Sequence, residues 1–281
     1  MRPIRGAQAA HIGFAAGSAA VLAVYNNVIA AQEWHRRWYA PANACAAGVA
    51  LAAAAASGLT PAELGLGRGA WRPGRLGTRL AAATAAGWLA AAAVPATRAL
   101  LDDQRITALT GREFAYQVAF RIPVGTVLWE EVAFRGVLQA ALRRVLPAPA
   151  AIAVTSGVFG AWHIRPTAEA LRVNGFAGDR RRAATRVAAG AAVTAAGGVL
   201  FSGLRARSGG LAAPVLLHLA TNCSGLVVAW TVAAPARAAA ARSDHRTPRA
   251  TGQPRRAHRG ALRVSRPMRT LRPGRHVHHV H

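Results

Sequence analysis

The chain has 281 residues, of which 53% are hydrophobic, and a formal net charge of +25. All 35 basic residues are arginine, and 12 of them follow residue 235, where Asp244 is the single acidic residue. Residues 236–281 are therefore predicted to form a disordered basic tail that builds no core. The alternative for this tail is attraction to anionic lipid headgroups. No nucleic-acid binding is expected, because the tail has no aromatic residue on which a base would stack.

Residues 1–235 have a different composition, with seven apolar stretches near the ~20-residue length that crosses a bilayer core. They predict an all-α, polytopic membrane helix bundle of about seven transmembrane helices, with residues 1–235 as the membrane-embedded domain. A soluble, alanine-rich helical protein is the alternative, but the arginines gathered between the stretches argue against it. The predicted spans are 9–31, 42–58, 79–101, 114–142, 150–164, 187–204 and 209–234.

The first apolar stretch is long enough to remain in the membrane as an anchor, so it is not predicted to be a cleaved signal peptide. Cys45 and Cys223 lie inside predicted spans, which argues against a disulfide framework. We expect a multi-pass protein of the cell membrane. The arginines divide almost evenly between the two sides of the predicted spans, so the positive-inside rule leaves the orientation open.

Pro, Gly and Arg mark the segments between the predicted spans. Residues 60–77 are predicted to form an amphipathic connector on the surface, and residues 101–113 a polar loop. The basic turn and the prolines of 143–150 indicate the end of the fourth span. Residues 164–186 are predicted to form the longest loop between spans.

The fourth predicted span contains the segment WEEVAFRG (129–136), which places two adjacent carboxylates and an arginine in an apolar helix. Glu131 and Arg135 are four residues apart and share a helix face, so they are predicted to pair. Glu130 points about 100° away from that face and is left available as a general base. The alternative is an ion pair near a helix end that reaches water, but ionisable residues within spans are costly and usually functional.

Two later spans carry polar residues at helical spacing. In GVFGAWHIRPT, Phe159 and His163 are four residues apart, so the phenyl ring is predicted to lie against the imidazole. In PVLLHLATNCSG, His218 and Asn222 share one helix face. Each pair alone is compatible with ordinary hydrogen bonding between helices. Together with the acidic segment they place polar groups on three spans, and the spans before residue 114 offer no comparable cluster.

These groups are predicted to face one interior and to form a small hydrated pocket. A carboxylate, two imidazoles and an amide suit hydrolysis: Glu130 takes a proton from water, and a histidine polarises the substrate carbonyl or protonates the leaving amine. Asn222 would donate a hydrogen bond to the developing oxyanion.

The same residues resemble a known family. EEVAFR (130–135) fits the pattern EExxxR, FGAWH (159–163) fits FxxxH, and HLATN (218–222) fits HxxxN. In order and approximate separation they are similar to the CPBP family, also called Abi, of CAAX-processing and bacteriocin-processing intramembrane proteases. The resemblance covers about residues 114–228. The preceding spans resemble the family only in being hydrophobic, and the tail does not resemble it.

The resemblance implies an all-helical membrane endopeptidase that cleaves a membrane-tethered peptide or protein. The roles it implies are Glu130 as general base, His163 positioning the water, Glu131 and Arg135 holding the geometry, His218 and Asn222 stabilising the oxyanion, and Phe159 and Trp162 shaping the pocket.

The cofactor and the substrate stay open at this stage. Members of the family are usually labelled metalloproteases, although a glutamate mechanism without metal has also been argued. Glu130, His163 and His218 would complete a catalytic zinc site if packing brings them together, but the HExxH signature is absent. Water activation by Glu130 is the favoured mechanism, with zinc as a conditional cofactor. Eukaryotic relatives trim prenylated CAAX proteins, and bacterial relatives serve bacteriocin maturation or immunity, a choice that the fold does not make.

Two other functions compete with the protease. The first is a catalytically silent membrane scaffold, or a bacteriocin-immunity protein, that binds a peptide in the same pocket. The second is a small transporter with a Glu/His proton relay. That function would be accompanied by paired repeats or broken helices, which the sequence does not clearly show.

Overall fold

The computed structural model describes residues 2–98, 101–235 and 237–238, which lie in one compact unit, Met1–Ala240. Its regular elements are all helical and these residues form no strand, which confirms the all-α prediction. The predicted tail lies outside the described residues from 239 onward, so its disorder stays a prediction. The α-helices are α1 (Arg2–Val24), α2 (Glu33–Arg37), α3 (Tyr39–Ala56), α4 (Gly74–Ala93), α5 (Pro95–Arg98), α6 (Gln104–Thr107), α7 (Gly111–Tyr116), α8 (Gln139–Arg143), α9 (Ala148–Trp162), α10 (Ile164–Val173), α11 (Arg180–Ser208) and α12 (Ala212–Val232), and π-helical segments occupy Tyr25–Ile29, Gln117–Leu128 and Glu131–Leu138.

Four helical segments within the described part of the chain are long and apolar enough to cross a membrane, and they mark the chain as a membrane protein. The other three predicted spans are also helical: 79–101 overlaps α4, 114–142 runs through α7 to α8, and 150–164 overlaps the 15-residue α9. A bundle of about seven transmembrane helices is compatible with this arrangement. The four long apolar segments are Gly6–Ile29, Tyr39–Ala56, Arg180–Ser208 and Ala212–Val232.

Residues 111–143 form one continuous rod, here called the central helix, from α7 through two π-helical segments to α8. It begins with a capping box, because the Thr110 hydroxyl accepts from the Glu113 backbone N–H and the Glu113 carboxylate accepts from the Thr110 backbone N–H. Pro123, which cannot donate a backbone hydrogen bond, lies in the first π-helical segment. Residues 129–142 are all buried, so the acidic segment lies in the core of the bundle.

Close packing of small residues explains why the spans are rich in alanine and glycine. A Cβ atom added to Gly160 of α9 would lie 2.7 Å from the carbonyl oxygen of Ala191 in α11. A Cβ atom on Gly198 of α11 would lie 3.1 Å from Ser156 of α9. Such close approach of helix backbones supplies dispersion energy where lipid tails offer no hydrophobic driving force.

The segment between α3 and α4 closes one end of the bundle, here called the connector end. Glu63 pairs with Arg144 after α8 at 2.8 Å, and the Gly65 carbonyl accepts from the backbone N–H of Leu211 before α12 at 3.1 Å. Within the predicted surface connector, Leu76 is 45% exposed, but Leu64 is only 4% exposed because it packs into the core beside the central helix.

At the opposite end, the predicted long loop 164–186 contains helix α10. Arg165, in its first turn, donates from Nη1 to the backbone carbonyl of Asn26 at 2.6 Å. Asn174, which follows the helix, accepts from the backbone N–H of Gln104 at 2.9 Å. The segment therefore ties the end of α9 to α1 and to the polar loop before the central helix.

Candidate active site

Glu131 lies at the centre of a buried hydrogen-bond network that joins two helices. Arg135 donates from Nη1 to its Oε1 at 3.0 Å, and both side chains are fully buried. The same oxygen lies 2.8 Å from Nδ1 of His218 on α12. The predicted pair on one helix face is therefore present, and it also holds an imidazole from a second helix. A buried pair of this kind fixes geometry more than it stabilises the fold, because desolvation offsets much of its attraction.

Glu130 occupies a different environment from Glu131. Its Oε1 accepts a hydrogen bond from the indole N–H of Trp162 at 3.2 Å. Its Oε2 is buried and has no hydrogen-bond partner among the described residues. The side chain is only 6% exposed. Trp162 therefore holds one carboxylate oxygen, while the other is buried without a partner among the described residues.

His163 is oriented by a local tightening of α9 at its end. The backbone N–H of His163 donates to the Gly160 carbonyl, so the carbonyl of Phe159 is left for the side chain, and Nδ1 lies 2.8 Å from it. The imidazole and the phenyl ring of Phe159 meet edge to face with centroids 4.6 Å apart. This contact confirms the stacking that the four-residue spacing predicted.

Three hydrogen-bond acceptors converge at the site. Because the Phe159 carbonyl and the Glu131 carboxylate only accept, Nδ1 of each histidine carries the hydrogen, and a neutral imidazole then presents an unprotonated Nε2. Nε2 of His163 lies 4.0 Å and Nε2 of His218 lies 3.9 Å from Glu130 Oε2. These separations exceed a direct hydrogen bond, and like acceptors cannot bond each other. A molecule that donates two hydrogen bonds, such as water, would satisfy them.

Asn222 lies beside the histidines on the wall of a cavity of about 360 Å³. His163 and His218 line this cavity, together with residues of α4, α11 and α12. Thr221 and Asn222 also line a neighbouring cavity of about 820 Å³, whose wall includes Asp103 and Arg121. The Asn222 side chain therefore lies between the smaller cavity, which the histidines line, and the larger cavity, which extends to the polar loop before the central helix.

Aromatic rings enclose the charged groups. The guanidinium of Arg135 lies 4.0 Å from the ring centre of Phe159 and 5.0 Å from that of Phe201. Phe201 of α11 also stacks on His218, with centroids 5.0 Å apart and planes 19° apart. Phe201 was missed from the sequence, because a lone phenylalanine in an alanine-rich span gives no motif.

The comparison with protein families agrees with this geometry. Residues 113–224 match the family model described as "Type II CAAX prenyl endopeptidase Rce1-like". This segment belongs to the CAAX-protease family. No curated protein and no solved structure matches the chain. The match begins and ends within a few residues of the predicted 114–228, and it contains all seven residues that the three motifs specify.

Membership in the CAAX-protease family indicates a protease of the CAAX type in general. The match contains the buried carboxylates, both histidines and the amide, whereas α1 to α6 lie outside it. The N-terminal helices nevertheless pack directly on the matched segment, through Tyr25, Asn26 and Tyr39.

Zinc was the conditional cofactor, with Glu130, His163 and His218 as its ligands. The donor types suit zinc, but two ligands of one tetrahedral zinc ion lie about 3.4 Å apart, given bonds of about 2.0–2.1 Å. The two histidine nitrogens lie 3.9 and 4.0 Å from Glu130 Oε2. Within the described part of the chain, no group of three His, Cys, Asp or Glu side chains is arranged to hold a metal ion. The arrangement is too wide for a closed three-ligand site, so we derive no step through a metal.

A second buried polar cluster contradicts the expectation that the spans before residue 114 carry none. Tyr25 donates to Asn43 Oδ1 at 2.5 Å, and His35 Nε2 lies 3.0 Å from both. The amide of Asn43 donates to the Gly125 carbonyl at 2.6 Å. Burial lowers the pKa of His35, which lies between spans and is 1% exposed, so it is neutral at pH 7. The sequence signal for this cluster was the polar residues inside two apolar stretches.

Proposed function

We propose that the chain is an intramembrane endopeptidase of the cell membrane that hydrolyses a peptide bond of a membrane-tethered protein, with Glu130 as general base. The observation that carries this proposal is the convergence of Glu130 Oε2 with two imidazole nitrogens within 4.0 Å. A water molecule placed there would donate one hydrogen to the carboxylate and be oriented by an imidazole. Its oxygen lone pair would then face the cavity that the histidines line.

The first chemical step forms a tetrahedral intermediate. Glu130 Oε2 accepts a proton from the water, and the water oxygen bonds to the carbonyl carbon of the substrate. The carbonyl π electrons move onto its oxygen, which becomes an oxyanion. Asn222 donates a hydrogen bond to this oxyanion from the cavity wall. When Nε2 of His218 carries a proton it donates to the same oxyanion, and the Glu131 carboxylate balances the imidazolium charge.

In the second step the carbon–nitrogen bond breaks. The electrons of the oxyanion re-form the carbonyl, and the proton held by Glu130 passes to the leaving nitrogen, so that an amine and a carboxylic acid result. Arg135 and the aromatic rings around it hold Glu131 in place throughout. Trp162 keeps the other oxygen of Glu130 fixed, so that the free oxygen faces the histidines.

The substrate would reach the site through the larger of the two neighbouring cavities. That cavity of about 820 Å³ is lined by Asp103, Arg121 and Gln117 at its polar end, and it meets the smaller one at Asn222. A polar segment of a membrane-tethered substrate fits such a path, because its backbone amides could stay solvated until they reach the site. The scissile carbonyl would lie beside Asn222.

The experiment that tests the proposal is a cleavage assay on the purified full-length protein in detergent, with a library of membrane-tethered peptides. Glu130→Gln should lower turnover about 10²–10⁴-fold, the contribution of a general base. Glu169→Gln is the matched control, because Glu169 is an exposed residue of α10 that pairs with Arg172. Retained turnover in Glu130→Gln would reject the mechanism. Peptide binding without cleavage in wild type would favour the silent scaffold instead.

Zinc is tested in the same assay. A chelator titration leaves turnover unchanged if Glu130 activates water alone. If zinc takes part, Glu130, His163 and His218 are the residues that would move inward to hold it, and the metal would polarise the water or the substrate carbonyl. Turnover would then fall with chelator and return on addition of zinc.

A further inference from the structure

A third cavity, of about 570 Å³, lies at the connector end of the bundle and is strongly basic. Its wall is formed by the end of the central helix, the start of α9, the end of α11 and the segment between α3 and α4. Four arginines and one carboxylate line it, and they are Arg135, Arg143, Arg144, Arg205 and Glu63. The proposed peptidase chemistry uses Arg135 to hold Glu131 and leaves the other three arginines without a role.

The charges in this cavity are not balanced. Arg144 pairs with Glu63 through two nitrogens, at 2.8 and 2.9 Å, and this pairing lowers the pKa of Glu63 to about 2. The charge of Arg135 is balanced by Glu131. Arg143 and Arg205 have no carboxylate partner within the described ranges 2–98, 101–235 and 237–238. Two positive charges therefore face the cavity without compensation.

Two of the arginines that line this cavity have buried polar atoms without partners among the described residues. Nε and Nη2 of Arg135 make no hydrogen bond within the described part of the chain, and neither does Nε of Arg205. Arg135 is 1% and Arg205 8% exposed, so water does not freely solvate either group. Within the described residues, the Arg205 side chain makes a single hydrogen bond, from Nη2 to the Glu63 carbonyl at 2.8 Å. Buried donors in this state are costly, and a bound water or ion is one way in which proteins satisfy them.

From these observations we propose that the cavity binds an anionic phosphate group. Planar guanidinium groups bind phosphate oxygens through paired, charge-assisted hydrogen bonds. The start of α9 at Ala148 adds the positive end of a helix to the same wall. The attraction of arginines to helix C-termini explains why they lie at the ends of α8 and α11, but it does not explain why two arginines in the wall of one cavity have donors without partners among the described residues.

The position of the cavity suits a phosphate held in a lipid headgroup. Arg143 ends α8 and Arg205 lies in the last turn of α11, a helix long enough to span the membrane. Span ends lie at the level of the headgroups, where basic pockets between helices bind anionic lipids. Free inorganic phosphate offers the same chemistry. The two sites share Arg135, which pairs with Glu131 in one and lines the other, but the inference concerns binding and its test does not require peptidase activity.

Thermal unfolding of the full-length protein in a neutral detergent, followed by tryptophan fluorescence, tests the site. A short-chain phosphatidylglycerol and inorganic phosphate are titrated separately, against phosphatidylcholine and against chloride at matched ionic strength. Phosphatidylglycerol should raise the Tm of wild type saturably, because a ligand of the folded state stabilises it. Arg143→Gln should leave the Tm without lipid unchanged, since Arg143 is exposed, and should weaken the apparent affinity about fivefold.

Arg207→Gln is the matched control, since Arg207 is an exposed arginine two residues after Arg205 on the same helix and does not line the cavity. It should respond like wild type, and Arg205→Gln should lose more affinity than Arg143→Gln. A rise in Tm with inorganic phosphate as well would identify the phosphate group as sufficient, and a rise with the lipid only would assign the site to a headgroup. Equal responses of Arg143→Gln and Arg207→Gln, or no response of wild type to either anion, would overturn the proposal.

Discussion

Two clusters of buried polar side chains flank Trp162, and they differ in whether their hydrogen bonds are complete. Among the described residues, the side chains of Tyr25, His35 and Asn43 have no buried polar atom without a partner, and each bond joins one helix to another. Around Glu130, one carboxylate oxygen has no partner within the described residues, although two imidazoles face it. A complete network stabilises one packing of helices, whereas an incomplete one keeps binding capacity for a ligand.

Trp162 connects the two clusters. Its carbonyl accepts from Asn26 Nδ2 at 2.8 Å and its ring stacks on Tyr25, while its indole N–H donates to Glu130. The completed cluster, which lies in helices outside the family match, therefore supports Trp162, the residue that orients Glu130, the proposed general base. The N-terminal helices therefore have a structural role, whereas the residues proposed for peptide hydrolysis lie in the matched segment.

The largest expected effect is on the incomplete cluster. His163→Ala should lower kcat about 10²–10⁴-fold, because it removes one of the groups that would orient the water. The Tm should change little, since His163 lies at the end of α9 with 24% of its side chain exposed. Turnover of the membrane-tethered peptide and thermal unfolding of the same preparation measure both quantities. A variant with normal kcat would show that His218 and Glu130 suffice.

Asn43→Ala should have the opposite profile. It breaks the bonds to Tyr25, His35 and the Gly125 carbonyl, and leaving buried partners unsatisfied costs about 1–3 kcal/mol in the free energy of unfolding. The kcat per folded molecule should stay within a few-fold of wild type. Asn27→Ala is the matched control, because Asn27 is exposed and bonds only to its own helix. A large loss of kcat with unchanged Tm would show that the N-terminal cluster takes part in catalysis, and the two clusters would then no longer differ in role.

The sequence was sufficient for the parts of the site that helical spacing controls. The pairing of Glu131 with Arg135 and the contact of Phe159 with His163 follow from residues four apart on one helix. The meeting of three spans rested on the order of the motifs and on the cost of burying charge in a membrane. The contribution of Trp162 to the pocket was expected, but its bond to Glu130 was not, because it depends on where α9 crosses the central helix.

Other features could not be found from periodicity. Tyr25, His35 and Asn43 are 8 to 18 residues apart and lie on three different elements, so no spacing rule joins them. Alanine-rich spans have no distinct apolar face, so the sequence did not show that Gly160 and Gly198 would pack α9 against α11. Helix α10 looked like a loop because of its charges and its proline, although its polar and apolar residues separate onto two faces once it is folded.

The smallest expected effect concerns the stability of the incomplete cluster. Glu130→Gln, which should lower turnover strongly, should also raise the free energy of unfolding by about 1 kcal/mol, because a neutral amide costs less to bury than a carboxylate oxygen without a partner. Thermal and denaturant unfolding in one detergent would measure the change, with Glu169→Gln expected to stay near wild type. A lower stability would mean that Glu130 is a structural residue whose carboxylate is already satisfied. A higher free energy of unfolding would show that the unpartnered oxygen of Glu130 destabilises the folded protein, as expected if it is retained to act on a substrate.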